Sequence, residues 1–272
     1  MIPKVRQFPL GIFPFGEGVG GGGMSRQITM ITFSIGMPRA GSGWYYNLTH
    51  DLVTATGGQD ARLIRRRYHL GRVLTEVNCN IGAFTTPRLL AVLVPALMGN
   101  SFVVKAHAAP SPLTLALIRR GWVRAAYIYR DPRDAMLSAF DNGQRALQKG
   151  RPNAFSHLTD FDKSVDFMLK YLRICDDWMA CPQVLHTRFE SLKDDYDNEA
   201  ARLVAFLGLD VQDEAVKAVL ERYRPEAARA QQKGIHFNKG KTGRFREKLN
   251  LEQQEVLAEK FGPYLSKMGY EL

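Results

Sequence analysis

The stretch ITMITFSIGMPRAGSGW, Ile28 to Trp44, decides how the chain is read. Its first half, Ile28 to Ile35, is a short apolar run of the kind that forms a strand buried on both faces of a parallel sheet. Its second half spaces Gly36 and Gly41 as G-x-x-x-x-G, the glycine spacing of a phosphate loop, and leads into a helix expected to reach about Thr56. A nucleoside triphosphatase would continue with Lys and Ser or Thr. Here Ser42 and Gly43 follow, and the loop's cation is Arg39. The backbone N–H groups of such a loop hold an oxyanion without a Walker lysine, with Arg39 adding charge and Ser42 a hydroxyl. A plain strand-to-helix turn would account for the same glycines.

Three further strands are expected along the chain: SFVVKAH (Ser101 to His107), VRAAYIYR (Val123 to Arg130) and QVLHTRF (Gln183 to Phe189). Asp131 is a good N-cap and Pro132 a good first residue for a helix running towards Leu147. An amphipathic helix around Asn198 to Phe206 can end on Gly208. Strands alternating with helices predict an α/β fold, one P-loop-like domain with a central parallel β-sheet flanked by helices and a helical C-terminal part. Ligands of such sheets bind beyond the carboxyl ends of the strands. Three strand ends carry matching groups: the Arg39 loop, then Lys105 and His107, then Arg130. Lys105 and His107 share one face of an extended chain, because side chains alternate with period two. Arg130 with Ser138, two helical turns past Pro132, can clamp a second phosphate. A capping motif with Asp134 at N3 and a surface ion pair would explain those residues equally well.

Composition adds bounds. The chain has 272 residues, with 37 Lys and Arg against 27 Asp and Glu, a net charge of +10 that favours anionic ligands without choosing among them. Cys79, Cys175 and Cys181 form no disulfide framework or metal spacing and read as free thiols of a reducing compartment. No segment reaches the length of a membrane span, and residues 1–23 read as a flexible extension without a signal-peptide core, so a cytoplasmic protein is expected.

The segments GMPRAGSGW, VVKAH, YIYRDPRDAMLS, FESLKDD followed by AFLGL, and FNKGKTGRF, in this order, resemble the sulfotransferases that use PAPS (3′-phosphoadenosine 5′-phosphosulfate). The resemblance spans about Ile28 to Arg246 and implies a sulfotransferase domain over residues 24–272. It implies that Arg39, Ala40, Gly41, Ser42 and Gly43 hold the 5′-phosphosulfate, that Arg39 stands for a usual Lys, and that Ser42 and Gly43 stand for a usual Thr-Thr. Arg130 and Ser138 match the 3′-phosphate clamp. Lys239 and Gly240 match its late loop, in which Asn238 replaces an Arg. Trp44 matches an adenine-stacking residue, or else is a core aromatic, and Phe189 replaces a Tyr whose hydroxyl contacts adenine. His107 matches the base that takes the acceptor's proton, with Lys105 neutralising developing charge. His50, Asp51 and Glu76 are the competing bases.

The resemblance implies PAPS as co-substrate, PAP as product, no metal, and an acceptor that is a small molecule or a carbohydrate. The acceptor pocket is expected from Ala61 to Pro87 and Gln148 to Asp160. Nucleic acid and a membrane span are not expected, and the oligomeric state is open. The competing functions are a P-loop small-molecule kinase, a basic nucleotide- or nucleic-acid-binding module, and a sulfotransferase that has lost turnover.

Overall fold

The computed structural model describes residues 31–231 and 241–272. Four strands, β1 (Ile31–Gly36), β2 (Phe102–Ala106), β3 (Val123–Tyr129) and β4 (Leu185–Arg188), form one parallel sheet in the order β2-β1-β3-β4. Every residue of β1 is buried, as an apolar run covered on both faces requires. Between β1 and β2 lie α1 (Ser42–Ala55), α2 (Ala61–Arg67) and α3 (Thr86–Leu97), and α4 (Pro112–Arg119) joins β2 to β3. After β3 come α5 (Pro132–Gln148) and α6 (Phe161–Met179). Beyond β4 the chain is helical: α7 (Phe189–Asp194), α8 (Tyr196–Leu207), α9 (Glu214–Tyr223), α10 (Pro225–Gln231), α11 (Phe245–Lys248) and α12 (Leu251–Lys267).

Alternation along β3 shows how the sheet is sandwiched. Ala125 and Tyr127 join the apolar cluster containing α6 and α12, whereas Ala126 and Ile128 join the cluster of α1, α8 and α9. The chain leaves β1 towards β2 on one side and then crosses to β3 on the other. A crevice therefore opens beyond the carboxyl end of β1, at the point where the winding reverses.

Local signals set the boundaries. Asp131 accepts from the Arg133 amide and Pro132 takes the first helical position of α5, while Gly208 ends α8 in the left-handed region at φ 71°. Element boundaries differ from the sequence expectation by one or two residues, as at β2, β3, β4 and α8. Strand β4 stops at Arg188, because it is an edge strand held only by β3, and Phe189 instead opens α7. Cys79, Cys175 and Cys181 are buried free thiols. Among the described residues no helix is long and apolar enough to cross a membrane. The expected extension over residues 1–23 lies outside the described residues.

Candidate active site

The loop after β1 is shaped by two close approaches. A Cβ on Gly36 would lie 2.7 Å from Ile128 Cγ2 and 2.9 Å from Ser42 Cβ, so the chain can turn only if that residue is glycine. Gly41, at φ 78°, would press a Cβ to 2.6 Å from the Phe189 ring. Arg39 itself sits at φ 66°, a left-handed conformation uncommon for a residue with a side chain. Helix α1 starts at Ser42 with no side-chain cap and no acidic residue in its first turn, which leaves a favourable end for an anion.

Cations converge above this loop. Arg39 Nε donates to Ser138 Oγ at 3.2 Å, and its guanidinium lies 5.7 Å from the centre of the Phe155 ring. Burial lowers the Arg39 pKa, and Arg145 and Arg130 lower it further against a smaller opposing effect of Asp141. Lys105, only 7 % exposed, has its ammonium pushed down to about 8 by burial and then by Arg39. Its Nζ lies 5.9 Å from the Tyr46 ring centre. Arg130 donates from Nη1 to the Arg39 carbonyl at 3.4 Å and from Nη2 to the Lys241 carbonyl, and it lies over Phe189 at 4.9 Å. It is buried, and its Nε has no hydrogen-bond partner among the described residues.

The Arg130–Asp134 pair, 3.6 Å apart, is buried, unlike the surface pair that a simple capping motif would give. The Asp134 carboxylate accepts from the Gly243 amide at 2.6 Å and from the Phe245 amide at 3.2 Å, tying α5 to the segment before α11. The cap of α5 is Asp131.

His107, directly after β2, has its Nδ1 2.6 Å from the Gly36 carbonyl. A carbonyl only accepts, so Nδ1 carries the proton and Nε2 keeps its lone pair. Burial and then Lys105 hold the ring's pKa down at about 4, against the raising effect of the Gly36 carbonyl. At neutral pH the imidazole is uncharged and able to accept a proton.

Two of the competing bases, His50 and Asp51, are paired with each other and with other residues. His50 Nδ1 lies 2.9 Å from Asp51 and Nε2 lies 3.5 Å from Asp60, while Asp51 accepts from Tyr223 Oη at 2.6 Å and pairs with Arg222. His50 is also eight residues past Ser42 on α1, about 12 Å of helix rise from the loop. Glu76 is exposed.

Trp44 does not present an open ring. It is fully buried, its Nε1 donates to the Tyr223 carbonyl at 3.1 Å, and it stacks on Tyr196 with ring centres 6.2 Å apart. Trp44 thus packs in the apolar cluster of α1, α8 and α9. Asn238, Lys239 and Gly240 lie outside the described residues. Among the described residues no group of three His, Cys, Asp or Glu side chains is arranged to hold a metal.

Sequence reasoning missed Arg145, and it covered Phe155 only as part of the expected acceptor segment, Gln148 to Asp160. Arg145 falls seven residues after Ser138, two turns along the same face of α5, so helical spacing contained the signal. Phe155 carries no such signal. It reaches the site because α5 has a glycine where the segment crosses it: a Cβ on Gly143 would sit 2.1 Å from the Phe155 carbonyl oxygen.

The family described as Sulfotransferase domain matches residues 32–269. By sequence, no curated relative matches the chain. Among solved structures, the fold resembles mouse sulfotransferase SULT7A1 complexed with PAP, at 14 % identity and a TM-score of 0.56, with 88 % of this chain and 85 % of that chain covered. It also resembles retinol dehydratase in complex with androsterone and PAP, at 17 % identity and a TM-score of 0.56, covering 90 % of this chain and 82 % of that one. The same enzyme with retinol and PAP gives 17 % identity and a TM-score of 0.54, with 90 % and 83 % covered.

Proposed function

The chain belongs to the sulfotransferase domain family, and from that premise we propose that it transfers the sulfuryl group of PAPS to a hydroxyl or amine of a small acceptor, with His107 as general base. The observation that carries this reading is the cation cluster at the strand ends. Lys105 is buried beside Arg39 with its pKa depressed, and the buried Arg130, paired with Asp134, has an Nε that makes no hydrogen bond among the described residues and lies 4.0 Å from Glu190. Such charges are costly to hold in an empty site and are relieved by a multiply anionic ligand.

The residues fit PAPS in two groups. Arg39, Ser42 and the backbone N–H groups from Ala40 to Gly43 face the 5′-phosphosulfate, and Arg130 with Ser138 takes the 3′-phosphate, joined by Lys239 and Gly240. PAPS supplies an activated sulfuryl group whose transfer leaves PAP. Lys105 and Arg39 stabilise the charge that grows on the leaving phosphate as the S–O bond breaks. The Nε2 lone pair of His107 takes the acceptor's proton, and the Gly36 carbonyl fixes the tautomer that makes this possible. Burial is the main cause of the lowered His107 pKa and Lys105 the second, so a polyanion beside Lys105 offsets the second and raises the pKa. Trp44 packs edge-on against Phe189, with ring centres 6.3 Å apart. A small hydroxylated acceptor accords with the alcohols retinol and androsterone named for the retinol dehydratase structures.

Thermal shifts with PAP, AMP and ATP–magnesium at matched concentrations test the proposal. At a hundredfold excess over Kd, a ligand of the native state adds about 2.7 kcal/mol. Stabilisation by PAP well beyond that by AMP is expected. Stabilisation by ATP–magnesium alone would replace the proposal with a kinase reading.

A further inference from the structure

The excess positive charge of the chain is concentrated. Residues 61–130 hold eleven Lys and Arg against Glu76, and no Asp or Glu occurs from Val77 to Arg130. Part of this charge belongs to the site above, but Arg66, Arg67, Arg72, Arg119 and Arg120 are exposed and form no ion pair among the described residues.

The same segment exposes large apolar side chains. On α3, Leu90, Val94, Leu97 and Met98 follow the i, i+4, i+7, i+8 spacing of one helical face, with Leu97 76 % and Met98 67 % exposed. Trp122, after α4, is 58 % exposed, and Leu63 on α2 is exposed between arginines. The fold gathers these residues at one edge of the sheet. Phe102 and Val123, which open β2 and β3, both pair with Ile31, so Trp122 and the end of α3 lie at the same strand ends, about two strand spacings or 10 Å apart. The Gln59 amide donates to the Ser101 carbonyl at 2.7 Å, and Asn100 Nδ2 donates to Tyr68 Oη at 2.9 Å, which brings both ends of α2 to that edge.

We propose that this edge, formed by α2, the end of α3 and the turn after α4, docks on the surface of a membrane containing anionic lipid. Exposed Trp, Leu and Met among unpaired arginines are the chemistry that enters the headgroup region while pairing with lipid phosphates and carboxylates. A second copy of the same face would set arginine against arginine, and the aliphatic row has no complement on a nucleic acid backbone. The edge is the amino end of the strands, whereas His107 and Arg130 follow the carboxyl ends, so a docked molecule keeps its nucleotide site in water. The inference does not depend on the catalytic reading.

Co-sedimentation of the full chain with phosphatidylcholine vesicles, with and without phosphatidylserine, tests it. Binding is expected only with phosphatidylserine and is weakened by salt. Arg66→Gln with Arg67→Gln should cut partitioning about thirtyfold, and Leu97→Glu with Met98→Glu should abolish it. PAP-induced thermal stabilisation, unchanged in both variants, shows that fold and nucleotide site persist. No binding to phosphatidylserine vesicles at low salt, or binding that survives both pairs of substitutions, overturns the proposal. So does a dimer, seen by light scattering, that Leu97→Glu with Met98→Glu dissolves.

Discussion

Replacing Lys105 with methionine should stabilise the protein while removing its affinity for PAP. The ammonium is lowered from an ordinary 10.5 to about 8, first by burial and then by Arg39. Holding that charge in the folded state at neutral pH therefore costs about 3 kcal/mol, at 1.36 kcal/mol per pH unit. Methionine has a similar length and no charge to desolvate, so Lys105→Met should gain up to about 3 kcal/mol, or about 6 to 10 °C in Tm for a domain of this size.

The pH dependence separates this cause from better packing. Between about 8 and 10.5 the unfolded chain keeps the Lys105 proton and the folded chain does not, so wild-type stability rises with pH across that window. The gap between variant and wild type should be full below pH 8 and should close by about 10.5. The assay is calorimetric or fluorescence melting of both proteins from pH 7 to 10, with and without PAP. A variant less stable than wild type at pH 7, or a gap that does not change with pH, would refute the argument. So would equal stabilisation of both proteins by PAP.

His107→Ala should leave PAP-induced stabilisation intact and lower turnover by about 10²- to 10⁴-fold, measured with PAPS and any accepted alcohol; wild-type turnover would remove His107 as base. Arg130→Met should weaken PAP by about ten- to a hundredfold, since a charged hydrogen bond is worth about 1.5–3 kcal/mol, while AMP binding stays unchanged in titration calorimetry. Equal loss for PAP and AMP would place Arg130 away from the 3′-phosphate. Gly41→Ala combines a left-handed φ of 78° with a Cβ 2.6 Å from Phe189, so urea unfolding should show a loss of about 2 to 4 kcal/mol. A neutral result would mean that the loop yields easily.

The sequence alone determined the parallel α/β architecture, because its evidence is local. A continuously apolar β1, the Asp131–Pro132 start of α5 and the Gly208 stop of α8 each act within a few residues. It also determined the three strand ends that bear Arg39, Lys105 with His107, and Arg130, since period-two alternation and the rule for open sheets need no knowledge of long-range packing.

Tertiary structure decided what each of those groups does. His107 is neutral because the fold buries it beside Lys105, and its proton sits on Nδ1 because β1 ends beside it and presents the Gly36 carbonyl. Trp44 lies in the core because α8 supplies Tyr196 to stack on it, more than 150 residues away in the chain. Lys105 is depressed because the fold buries it next to Arg39. Protonation state, tautomer and exposure depend on neighbours brought from distant parts of the chain, and no spacing within a motif encodes them.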